Sequence, residues 1–251
     1  MPELIKMREP NLKNLYYIGG AAPLLTLIFY LSEMLFIPWN QYPSSTEDWF
    51  ILFQRSKILG LFYLNALDIF SIALLGLMFL ALYAALQHAN RSWMIASTYF
   101  GLLGVCVFIV PRVAMLSIVT LSDQYTAAAE NERIRLLTAG ETLGSLGTAT
   151  PQTIGFLFMA IAVLILSFVM LQEGHLFNRI IPWFGILASL MTVANHISVI
   201  LAPALSTALM IASGLFWIPW WIMIGFGLLR LEKKLSNEGK DTKQDEGFGD
   251  L

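Results

Sequence analysis

The chain has 251 residues, of which 57% are hydrophobic and only 13% charged, with a formal net charge of −2. An ordinary soluble domain carries about 25% charged residues, so this composition excludes one, and the charge balance leaves no basic footprint for nucleic acid. A single cysteine, Cys106, excludes a disulfide framework, a CxxC pair and a cysteine-rich metal site.

Six apolar stretches take up most of the chain, running roughly over 16–37, 58–86, 93–121, 151–171, 181–201 and 206–229. Each reaches the about 20 apolar residues that a helix needs to cross a hydrocarbon core. Their runs are continuous rather than alternating, which predicts helices and not barrel strands. The predicted fold is therefore all-α, a polytopic transmembrane bundle of six helices over residues 1–231. The first stretch is too long for the apolar core of a signal peptide and is read as an uncleaved helix. Residues 232–251 are polar and mixed in sign, and are expected to form a disordered cytoplasmic tail.

Lysine and arginine set the expected orientation. With the N-terminus inside, the cytoplasmic segments hold Lys6, Arg8, Lys13, Arg91, Arg179, Arg230, Lys233, Lys234, Lys240 and Lys243. The outer segments hold only Arg55, Lys57, Arg133 and Arg135. Both termini are thus expected in the cytoplasm, across a bacterial inner membrane. Tyr16, Tyr17, Trp39, Trp49, Trp93 and Trp183 lie near stretch ends, where an aromatic belt belongs.

Two outer segments exceed the length of a turn. Residues 40–57 carry a short apolar run, Trp49 to Phe53, that fits the membrane interface. Residues 123–150 open with helix formers and end in Gly140, Gly144 and Gly147, while Ile134, Leu136, Leu137 and Leu143 give a weak apolar face. An interfacial or lid helix is one reading of that segment and a solvated connector the other.

The sequence also admits a two-helix internal repeat. Leu86–Gln87 with Tyr99–Phe100–Gly101 recurs as Leu171–Gln172 with Trp183–Phe184–Gly185, superposing Arg112 on His196 and Asp68 on Gln152 or Thr153. Parallel repeats of this kind occur in transporter folds and in proteins that transport nothing.

Inside the six stretches the ionisable residues are Glu33, Asp68, Arg112 and His196, joined by the polar Asn65, Gln152 and Asn195. Such residues are costly in hydrocarbon and usually face a partner, a bundle interior or a water-filled cavity. At the helical rise of about 1.5 Å per residue, Glu33, Asp68, Arg112, Gln152 and His196 all stand roughly 25–30 Å from the cytoplasmic ends of their helices. They share one layer in the outer part of the membrane. Asp68 and Arg112, opposite in charge on consecutive antiparallel helices, are expected to pair. The structural reading is a tie between the second and third helices; the functional one is a ligand-binding pocket lined by all seven residues and covered by 123–150.

Known catalytic patterns are missing from the sequence. The three histidines, His88, His175 and His196, form no HExxH or HxxxH pair, which argues against a zinc hydrolase. Ile211 stands where an intramembrane serine protease motif around Ser213 would need glycine. No Walker A, dinucleotide or haem-attachment motif occurs. No catalytic or metal-ligating residue is therefore assigned, and no cofactor is specified. Gly101 with Gly104, Gly185 with Ser189, and Ala208 with Ala212 read as close helix contacts, and Pro219 should kink the last helix beside an aromatic cluster.

Leu121–Ser122, Tyr125, Ala128, Leu136–Leu137 and Gly155, followed by Phe177–Asn178–Arg179–Ile180–Ile181 and Gly185–Ile186–Leu187, resemble a bacterial integral membrane family. That family has about six helices and is catalogued only as a domain of unknown function. The resemblance implies six helices in a cytoplasmic membrane and no activity. Three functions remain. The chain binds, or also transports, a small polar or amphiphilic ligand in an outward-facing pocket; or it is an accessory or assembly subunit contacting other membrane proteins; or, ranked last, it is an intramembrane enzyme using His196 with a carboxylate. In each case the lipid bilayer is its solvent.

Overall fold

The structure is a computed structural model that describes residues 12–36, 42–148, 150–174 and 176–246, except for the side chains of 34, 36, 146–148, 150–153 and 238–246. The described residues are all-helical, without strands. The helices are α1 (Lys13–Phe36), α2 (Thr46–Arg55), α3 (Lys57–Tyr63), α4 (Leu67–Leu86) and α5 (Arg91–Met115). They continue with α6 (Ile118–Ala127), α7 (Glu130–Thr148), α8 (Thr150–Glu173), α9 (Ile180–Leu201) and α10 (Pro203–Glu246).

Six of these segments are long and apolar enough to cross a membrane, on α1, α4, α5 with α6, α8, α9 and α10. They close into a ring. α1 packs on α4, α4 on α5, α5 on α8, α8 on α9, α9 on α10, and α10 back on α1. Phe108, Leu82, Leu166, Trp220 and Ile224 are fully buried inside it. Because lipid tails are as apolar as leucine, helices in a bilayer associate through close packing and hydrogen bonds rather than through the hydrophobic effect. Gly104 meets Gly155 where α5 crosses α8, and a Cβ added to Gly104 would lie 2.7 Å from the Gly155 carbonyl oxygen. Gly20 and Gly225 bring α1 and α10 together in the same way. Buried hydroxyls supply the hydrogen bonds: Ser97 donates to the Ala162 carbonyl at 2.8 Å, joining α5 to α8, and Thr26 to the Ser71 carbonyl at 3.0 Å, joining α1 to α4.

The two long segments around 42–66 and 115–148 form a common cap with a core of its own. Phe50, Phe53, Leu64, Met115 and Ile118 are buried together, with Leu136, Leu137 and Tyr125 against them. α2 starts at a capping box in which the Ser45 hydroxyl accepts from the Asp48 N–H and the Asp48 carboxylate accepts from the Ser45 N–H. Its hydrogen bonds to Ser44 and Ser45 hold the Asp48 carboxyl below the usual range. Ser122 on α6 donates to the Phe50 carbonyl at 2.9 Å, and Lys57 pairs with Asp123 at 2.7 Å. Ile134 stays exposed, so the apolar face of α7 is narrower than its sequence suggests.

Four expectations are corrected. The stretch 58–86 is two helices, because the chain breaks between Tyr63 and Leu67, with Asn65 at φ 53°. The stretch 93–121 is likewise divided, α5 ending at Met115 and α6 starting at Ile118. α10 runs on through Glu246, so residues 232–246 are helical rather than without a fold. Their lysines and glutamates are good helix formers, and Lys13 ties the first turns down through Glu232 at 3.5 Å and Ser236 at 3.0 Å. Finally, Ala208 is exposed and Ala212 only partly buried, so the Ala208–Ala212 pair is incompletely covered inside this chain. In the aromatic belt, Trp93 and Trp183 are exposed at their helix starts, whereas Tyr16 is fully buried in the core; Trp39 lies outside the described residues.

Candidate functional site

The break before α4 organises the polar layer. A chain break at the start of a membrane-spanning helix leaves backbone groups that lipid cannot satisfy. Arg112, near the end of α5, donates from Nη1 to the Leu64 carbonyl at 3.1 Å and so caps α3. Glu33, near the end of α1, accepts the Leu67 N–H on Oε1 at 3.1 Å and caps α4. Asn65 tolerates the left-handed backbone between them better than an apolar residue would, its short polar side chain suiting that conformation.

The same three helices bring the charges into contact. Arg112 Nη2 lies 3.5 Å from Asp68 Oδ2, as the matched depths predict. Glu33, Asp68 and Arg112 are only 5%, 6% and 7% exposed, so all three face inward. Glu33 and Asp68 interact side chain to side chain. The guanidinium also lies over the Phe108 ring, 5.4 Å from its centroid. Both acids sit by the N-terminus of α4, where the helix dipole favours negative charge.

Aromatic residues surround this cluster, and the sequence reading missed them. Tyr30 lies one turn before Glu33 on α1, within electrostatic reach of Asp68, Glu33 and Arg112, and stacks on Trp221 at 5.7 Å. Tyr42 stacks on the buried Tyr63 at 6.1 Å and meets Trp49 edge-on at 5.5 Å. Its ring is half-exposed. Partial burial raises its phenol above the usual range, with Arg112 opposing and Asp68 reinforcing the shift. The spacing of Tyr30 and Glu33, i and i+3 on one helix face, is the signal that could have found the first of these.

The remaining predicted residues are placed elsewhere. Asn195 and His196 lie on α9, which packs against α8 and α10. Asn195 Oδ1 accepts from Ser206 Oγ at 2.9 Å, His196 Nδ1 meets the Thr192 carbonyl at 2.6 Å, and Trp217 Nε1 donates to Thr192 Oγ1 at 2.9 Å. These contacts make a second polar network along α9 and α10. Gln152 is in the first turn of α8, and its side chain lies outside the described residues. At the opposite end of the bundle a cavity of about 380 Å³ is lined by Met170, Leu171, Gly174, Arg179 and Trp183. Among the described residues no group of three His, Cys, Asp or Glu side chains is placed to hold a metal ion.

A ring of six apolar helices, with a capped, charged break just before one of them, defines a multi-pass integral membrane protein. Residues 18–230 match the model of a family described as Domain of unknown function (DUF4386), and the chain belongs to that family. Comparison with curated proteins and with solved structures finds no match.

Proposed function

We propose that this protein binds a small polar or amphiphilic ligand in an intramembrane pocket at the outer side of a bacterial inner membrane, both ends of the chain being cytoplasmic. One observation carries the reading. Glu33, Asp68 and Arg112 arrive from three helices at the break that precedes a membrane-spanning helix, buried and within electrostatic reach of Tyr30 and Tyr42. A structural tie between two helices needs only one carboxylate and one cation. Here a second acid and two nearby tyrosines accompany the pair, and breaks in the helical backbone are where transporters place substrate and ion sites. The charge asymmetry of the loops supports the orientation. Asn195 and His196 are assigned to the same outer layer and not to the charged centre, while Gln152 is kept as a candidate lining residue.

The test is thermal unfolding of the purified protein in detergent against a panel of small polar and amphiphilic solutes. A ligand at 100 times its Kd stabilises by about 2.7 kcal/mol. The expected result is a saturable stabilisation by one member of the panel that is lost in Asp68→Asn. A second reading, an assembly subunit, draws on the exposed small-residue face at Ala208. It takes first place if no solute stabilises the wild-type protein and Asp68→Asn alters only its stability.

A further inference from the structure

The cavity at the end of the bundle away from the cap belongs to neither of the polar networks described above. It encloses about 380 Å³ between the end of α8 and the start of α9, within the range of about 300–1,000 Å³ that small-molecule pockets occupy. Met170 and Leu171 come from α8, Arg179 and Trp183 from the start of α9, and Gly174 from the turn between them. Gly174 makes that turn at φ 70°, a left-handed backbone that glycine adopts without strain.

Two chemistries meet there. Met170 is buried and Leu171 half-buried, which makes one wall apolar. Arg179 and Trp183 are one helical turn apart, so the guanidinium and the indole lie on one side of α9. Arg179 is exposed and makes no ion pair among the described residues. The acid nearest to it in the chain, Glu173, accepts the Leu176 N–H at 2.6 Å instead. The start of α9 offers no row of free amides, because Asn178 accepts the N–H groups of Ile180 and Ile181 and Pro182 has none. The guanidinium is therefore the anion donor of this cavity.

Depth selects the ligand. Trp183, 55% exposed at its helix start, stands in the aromatic belt, the level of the lipid headgroups. A free anion would use the arginine and leave the apolar wall uncovered. An anionic phospholipid uses both, with phosphate on the guanidinium and glycerol and the first acyl carbons on Trp183, Met170 and Leu171. Basic pockets between membrane helices bind anionic headgroups in this manner. We infer that the cavity seats one anionic phospholipid from the leaflet away from the cap, its phosphate against Arg179. The site is separate from the Glu33–Asp68–Arg112 centre and does not depend on what that centre binds.

The experiment counts the lipids retained by delipidated protein in detergent by native mass spectrometry. It also follows melting temperature during titration with phosphatidylglycerol, phosphatidylcholine of the same chains, or inorganic phosphate. Arg179→Gln removes the anion donor from an exposed position, and Arg179→Lys keeps the charge. Arg91→Gln removes another exposed arginine, at the start of α5, that does not line the cavity. Size-exclusion elution checks the fold of each variant. The expected result is one tightly retained phosphatidylglycerol and a saturable rise in melting temperature, with phosphatidylcholine much weaker. Arg179→Gln should weaken phosphatidylglycerol about tenfold or more, the weight of a charge-assisted hydrogen bond. Arg179→Lys should lose only a few-fold, and Arg91→Gln should match wild type. Equal responses to the two lipids overturn the inference, as do equal losses in Arg179→Gln and Arg91→Gln, the signature of diffuse surface charge. A response to inorganic phosphate as strong as that to phosphatidylglycerol overturns the lipid and leaves a free anion as the ligand.

Discussion

Asp68 and Arg112 do unequal work, although they form a single ion pair. Asp68→Ala removes one partner of the guanidinium, which keeps the Leu64 carbonyl and the Phe108 ring. Arg112→Ala strands the Asp68 carboxylate and releases the Leu64 carbonyl as well. Breaking a buried pair costs about 3–5 kcal/mol, and an unmade buried hydrogen bond adds about 1–3 kcal/mol. Unfolding in a defined detergent should therefore rank Arg112→Ala as the more damaging change, with the double mutant well short of the sum. Additive losses would show that the two side chains are not coupled. Depth along a helix was readable from residue counting, and it placed this pair correctly. Rotation about the helix axis was not, because the apolar runs have little periodicity to mark an inner face. His196 shares the layer with Arg112, yet its Thr192 bond belongs to the α9–α10 network.

The helices show the same division between what length encodes and what context decides. Composition alone identified six membrane-crossing segments. The break at Asn65 was hidden because apolar residues continue on both sides of it, and only Glu33 and Arg112, supplied by other helices, make the freed backbone tolerable. The continuation of α10 was masked by its polarity, which suits a solvated helix as well as a tail. Glycine spacing was more informative. At Gly104 a methyl group would collide with the Gly155 carbonyl and the Met159 side chain, both at 2.7 Å. Gly104→Ala should force α5 and α8 apart and destabilise by about 1–3 kcal/mol, the usual cost of overpacking. At Gly144 nothing lies within 4 Å of an added Cβ, so Gly144→Ala in α7 should gain about 0.5–1 kcal/mol. Paired melting curves check both, and equal effects at the two sites would contradict the close crossing.

For the whole molecule, the expected orientation makes one sharp demand. Thr126 lies at the capped side of the bundle and Asn237 on the far extension of α10. Once Cys106 is replaced by serine, a cysteine at 126 should react with an impermeant maleimide in intact cells. A cysteine at 237 should react only after permeabilisation. Labelling of position 237 from outside would invert the topology and put the Glu33–Asp68–Arg112 cluster toward the cytoplasm.

The closed ring also dictates an order of events during synthesis. Neighbours in sequence are mostly neighbours in space, so each new span can dock on one already inserted, and the circle stays open until the last arrives. The Gly20 surface of α1 waits through the whole of translation for Gly225, more than two hundred residues behind it. Until then that seam is available to lipid, to a membrane chaperone or to another nascent copy. A nascent chain halted with α9 inserted but α10 still held in the ribosome would be a five-sided intermediate with α1 and α9 as its two free edges.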